Sequence, residues 1–67
     1  MAIAKVTEFS ASSNTSFEDA IEKGIARASK TLKNIRGAWI SEQKIIIDGG
    51  NIKEYRVSMK LSFELEE

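Results

Sequence analysis

Between Tyr55 and Leu65 the chain alternates without a break: Tyr55, Val57, Met59, Leu61, Phe63 and Leu65 are apolar, and Arg56, Ser58, Lys60, Ser62 and Glu64 stand between them. A period of two puts the first set on one face of a pleated strand and the second on the other. A helix would scatter both sets around its axis. A strand with one apolar face has to pair with neighbours and bury that face. This segment alone therefore demands a sheet and an element to cover it.

The pairing partner lies directly upstream. "DGGN", residues 48 to 51, carries Gly49 and Gly50, which can take the positive φ of a primed two-residue turn. Residues 35 to 48 before it read as a long strand, so the two segments form a hairpin. A two-residue turn predicts Asp48 opposite Asn51, Ile45 opposite Glu54, Gln43 opposite Arg56, Ile40 opposite Met59 and Trp39 opposite Lys60. Opposed residues share a face. Ala38 and Ile40 then face the cover with Met59 and Leu61. Gly37, Trp39, Ser41 and Gln43 share the outer face with Arg56, Ser58, Lys60 and Ser62. Glu42 falls opposite apolar Val57, which points to one slip of the alternation in the upstream strand. A bulge or a longer loop inverts the faces beyond it.

The cover is an amphipathic helix. Phe17, Ala20, Ile21, Gly24, Ile25, Ala28 and Leu32 follow the i, i+3, i+4, i+7 stripe. Ser16 is a natural N-cap, and Asp19 three residues on suggests a capping box with Asp in place of the usual Glu or Gln. Glu18 and Asp19 suit the positive end of the helix dipole, Lys30 and Lys33 the negative end, and Asn34 is a plausible stop. Gly24 on the apolar stripe points to a close approach by another backbone. Residues 2 to 10, with Ile3, Val6, Thr7 and Phe9, read as a first strand, and "SASSNTS" as a polar loop leading into the helix. The fold class is α+β: β-α-β-β, with a three-stranded antiparallel sheet around one helix, as a single domain over residues 1–67.

A chain of 67 residues has little interior, and its usual reinforcements are disulfides, a metal or assembly. It contains no Cys and no His, which removes disulfides, zinc sites and the commonest nucleophile and general base. We therefore expect no enzymatic activity and no metal centre built on those residues. Ten basic and ten acidic side chains balance, so the basic excess of a nucleic-acid binder is missing. No apolar run is long enough to span a membrane, and no signal peptide is visible, so the expected location is the cytoplasm. Ile45, Ile46 and Ile47 run consecutively, so one of their faces stays bare in a single copy. Trp39 on the outer face is similarly uncovered. Both favour a homo-oligomer.

Trp39 has three readings: an interface anchor, a platform on which a planar small molecule stacks, or an idle solvated side chain. Arg56 is a candidate for a cation–π contact with it.

The order β-α-β-β, the length, "TSFEDAIEKGIARASKTLKNIR" and the ending "EYRVSMKLSFELE" resemble the dodecins over nearly the whole chain. That resemblance implies a hollow homododecamer which stores or sequesters flavin, quenching its photochemistry without catalysis. In flavin-binding dodecins a Trp on the second strand stacks on the isoalloxazine ring. Alignment through "KTLKNIRGAWISEQ" puts Gly37 at that position, with Trp39 two residues later. The Gln that follows a Tyr on the third strand and bonds the polar edge of the ring is replaced by Arg56, after Tyr55. The acidic–Gln pair is kept as Glu42 and Gln43. The resemblance thus implies a cofactor site of Gly37, Trp39, Glu42, Gln43 and Arg56 for riboflavin or FMN, in a subgroup with displaced ring contacts. Arg56 would donate to the flavin carbonyls or pair with an FMN phosphate. Dodecin-like proteins without the stacking Trp imply the alternative, a shell that binds no flavin or that binds calcium, with Glu42, Asp48 and Glu54 as oxygen donors.

Overall fold

In the computed structural model, which describes residues 3–65, the order is β1 (Ile3–Ser13), α1 (Phe17–Ala28), β2 (Ile35–Asp48) and β3 (Asn51–Leu65). The sheet order is β1-β3-β2, and both pairs are antiparallel. The alternating strand is therefore central. The connection from β1 through α1 to β2 crosses over it, which lays the helix on its apolar face. α1 packs on β1 and β3. Val57, Met59 and Leu61 are fully buried there with Ala20 and Ala28, and Phe9, Phe17, Ile21, Ile25, Leu32 and Ile35 close round them.

β2 and the turn fall where the glycines put them: Gly49 has φ 59° and Gly50 φ 80°. β1 is longer than the sequence predicts. It runs on through "SASS" to Ser13, because Ser10 to Ser13 pair with Ser58 to Tyr55 and the ladder satisfies their backbone groups. The loop is reduced to residues 14–16, and Ala2 lies outside the described residues.

At the helix entrance the cap is formed and the box is not. Ser16 Oγ accepts from Asp19 N at 3.0 Å, whereas the Asp19 carboxylate accepts from the Ser13 hydroxyl and pairs with Lys23 Nζ at 2.9 Å. Asp19 thus ties the end of β1 to the start of α1. The helix ends at Ala28, well short of Asn34. Ser29 Oγ donates to the Ile25 carbonyl at 2.8 Å and Thr31 Oγ1 to the Ala28 carbonyl at 3.4 Å. The same carbonyls still accept backbone bonds, Ile25 O from Ser29 N and Ala28 O from Leu32 N, both at 2.9 Å, so the hydroxyls share the last carbonyls with a closing turn. Asn34, at φ 60°, instead turns the chain into β2, and its carbonyl accepts from Glu64 N at 3.1 Å.

Gly24 is a close approach, but of side chains. A Cβ there would lie 2.9 Å from Met59 Cε and 3.0 Å from Ala11 Cβ. The missing methyl lets the helix settle onto β1 and β3.

Candidate functional site

The β2–β3 ladder begins and ends in the predicted register and departs from it in the middle. Asp48 faces Asn51, Ile40 faces Met59 and Trp39 faces Lys60, as the two-residue turn requires. Between them Ile45 faces Tyr55 rather than Glu54, and Gln43 faces Val57 rather than Arg56. The cause is a pair of bulges. Lys53 is an extra residue on β3, where Ile47–Ile52 is followed by Ile46–Glu54; Ser41 is an extra residue on β2, where Glu42–Ser58 is followed by Ile40–Met59. Each bulge moves the register by one, and the second undoes the first. The single slip expected near Glu42 is the Ser41 bulge. A third bulge, at Arg36, precedes Gly37.

This register sorts the five candidate residues. Gly37, Trp39 and Glu42 oppose Ser62, Lys60 and Ser58, all on the face of β3 turned away from the helix, and Arg56 belongs to the same face. Gln43 does not: opposite buried Val57, it sits on the helix side of the sheet. The outer face thus assembles Gly37, Trp39, Glu42 and Arg56 and excludes Gln43.

Trp39 is 49% exposed, with no element over it. On one side Gly37 leaves the sheet low, since even a Cβ there would meet only Ser62 Oγ, at 3.3 Å. Across β3 stand two residues that sequence reasoning missed: Glu8 faces Lys60 from β1, and Val6 faces Ser62. Val6 is as exposed as Trp39. No local turn joins β1 to β3, so nothing in the sequence sets that register.

The cations around Trp39 are not equivalent. Arg56 donates from Nε to Glu54 Oε1 at 2.9 Å. That bond, helped by Ser12, holds the Glu54 carboxyl below its ordinary range. Arg56 also lies four residues along β3 from Lys60, roughly 13 Å at strand spacing. Arg36 is occupied by Glu64 at 3.5 Å. Lys60, directly opposite the indole, has no ion pair among the described residues. The site is therefore an exposed π-face beside a low stretch of sheet, with one unengaged ammonium at its edge. Among the described residues no three carboxylates or other ligating side chains converge, so Glu42, Asp48 and Glu54 do not meet within one chain. No helix described is long and apolar enough to cross a membrane.

The chain is thus a short α+β unit with one helix on half of a long sheet, a bare aromatic on the other face and exposed isoleucines beyond the helix. A family model described as Dodecin matches residues 3–66. The chain is 35% identical over 63 residues to the dodecin of Thermus thermophilus, covering 94% of this chain and 91% of that one. It is 31% identical over 65 residues to the calcium dodecin of Mycobacterium tuberculosis, covering 97% and 92%. The solved dodecin from Streptomyces davaonensis superimposes with a TM-score of 0.95 at 33% identity, over 98% of this chain and 97% of that one. The chain belongs to the dodecin family, and its fold is the one from which these proteins build homo-oligomers.

Proposed function

We propose that this protein is the subunit of a dodecin cage that holds a planar small molecule, a flavin such as riboflavin or FMN, on the Trp39 face without transforming it. The observation that supports this reading best is the half-exposed Trp39 standing over Gly37 with the free ammonium of Lys60 opposite. A stacked ring gains contact with the rigid indole face. Gly37 gives it room one pleat along, and the period of two keeps Gly37 and Trp39 on one face. Lys60, opposite Trp39, would bond carbonyl oxygens at the ring's edge, the role that the family resemblance implies for Arg56. Arg56 and Lys44, opposite each other two rows further along, would be the cations available to an FMN phosphate. The indole is an electron-rich neighbour for an excited flavin, so stacking would also quench it.

The calcium-binding alternative draws on one of the relatives, whose name states that property. In this chain it would need carboxylates from several copies, since no three converge among the described residues of one. Storage of an aromatic ligand in the cytoplasm by a single-domain subunit remains the reading we adopt.

The test is a titration of riboflavin and FMN with apo-treated protein, following flavin emission. Quenching should saturate at a fixed ratio to subunits, and Trp39→Ala should abolish it while the assembly keeps its size. Unchanged emission at micromolar protein would overturn the flavin reading. Loss of assembly in Trp39→Ala would make Trp39 an interface anchor instead.

A further inference from the structure

The helix leaves two apolar surfaces on distant parts of the chain, one recessed and one projecting. The first is a groove between α1 and β1, about 190 Å³ in volume. Phe9, Ala11, Gly24 and Ala28 give it an apolar lining, which Lys23 and Arg27 complete. Lys23 is engaged by Asp19, whereas Arg27 has no ion pair among the described residues. The second is the tip of the β2–β3 hairpin. Ile47 and Ile52 face each other across it on the helix side of the sheet, 66% and 51% exposed, beyond the end of the helix. Asp48 adjoins them at the turn and also has no ion pair among the described residues.

The tip cannot reach its own groove. Phe9 and Ala11 pair with Met59 and Val57, and from Met59 to Asn51 the strand covers roughly 25 Å. The chain is 52 Å long and 20 Å wide, with the hairpin projecting past the core. A groove with an apolar lining and a free cation therefore faces no partner in its own chain, while every other copy carries an apolar tip with a free anion.

We propose that the Ile47–Ile52 tip of one copy seats in the Phe9–Gly24–Ala28 groove of the next, with Asp48 against Arg27. The contact joins two different patches, so it is heterologous: each copy gives a tip and receives one, and the chain of contacts must close on itself to end. It buries the exposed isoleucines that the subunit leaves bare and fills the groove between α1 and β1. It does not depend on what Trp39 binds, because tip and groove lie on the helix side of the sheet.

The chain has no cysteine, which makes cross-linking clean. In the assembled Asp48→Cys/Arg27→Cys protein, a short bismaleimide should give covalent species larger than dimers on a denaturing gel. Each single-Cys variant should stay monomeric. Monomers only, with the assembly intact, would overturn the proposal and leave the groove to a small apolar anion or to another protein. Dimers from Asp48→Cys alone would overturn it in favour of tip-to-tip contact. Should the double-Cys protein fail to assemble, charge reversal gives a second measurement. Arg27→Glu and Asp48→Lys should each raise the protein concentration needed for assembly severalfold, and the reciprocal double variant should recover most of the loss. A double variant no better than the sum of the singles would overturn the pairing.

Discussion

The sheet under the helix and the sheet beyond it are built from the same kind of strand, and they differ in fate. Under the helix, Val57, Met59 and Leu61 are sealed from solvent. Beyond it, Ile47 and Ile52 continue the same face and stand largely exposed. The difference is one of reach. α1 has 12 residues, about 18 Å at helical rise, whereas β3 has 15, about 50 Å at strand rise. The T-shaped contact of Phe17 with Tyr55, at 5.2 Å between ring centroids, marks where the cover stops. An apolar pattern specifies that a face will be buried and leaves open which molecule buries it. In one half the answer is the chain's own helix. In the other it has to come from outside.

The sharpest way to break this contrast is to truncate matched residues in the two halves. Met59→Ala empties a fully buried site at the centre of the helix–sheet interface and should cost about 2–5 kcal/mol in urea denaturation. Ile47→Ala should leave the fold of the subunit intact and act only on association, read by sedimentation. Equal losses of subunit stability would erase the distinction between the halves. A smaller effect tests how the covered half is fastened. Ser16→Ala removes the cap that accepts from Asp19 N and should lower stability by about 1 kcal/mol in the same assay.

The smallest effect is electrostatic and touches both halves. Asp19, bonded by Ser13 and then Lys23, is held below its ordinary 3.8. Glu54, bonded by Arg56 and then Ser12, is held below its ordinary 4.5. A carboxyl with a lowered folded pKa contributes stability that is fully present above its unfolded value and lost as pH falls through the folded one. Stability should therefore be level from pH 7 to about pH 5 and decline only below the ordinary values of these two groups. Asp19→Asn/Glu54→Gln should flatten that decline. Both groups still reach solvent, so added salt should shrink the effect. A decline already under way at pH 6 would point to other groups.

The contrast also explains what could be read in advance. The alternation of β3, the two glycines of the turn and the N-cap are local signals, and each places its element where the structure has it. The apolar stripe reaches Leu32 while the helix stops at Ala28, because residues 29–31 form a closing turn on the Ile25, Arg27 and Ala28 carbonyls, which a hydrophobic stripe does not record. The extension of β1 depends on β3 lying beside it, far along the chain. The position of Gln43 turned on Lys53 and Ser41, whose bulging is a property of two paired strands rather than of either alone. Trp39 was placed correctly because it lies past both bulges, where the two shifts have cancelled. Lys60 was seen opposite Trp39, but its freedom from ion pairs follows only from where Arg56, Arg36 and their carboxylates settle.

The bulges have a consequence for how the hairpin can change over time. Arg36, Ser41 and Lys53 each sit in the ladder without a directly opposed residue. Losing any one of them would shorten the chain and straighten the strand locally, yet every existing cross-strand pair would survive and no side chain would change face. Loss of a paired residue would instead invert all that lies between it and the turn. The hairpin therefore has three positions at which its length can drift by single residues without scrambling either surface.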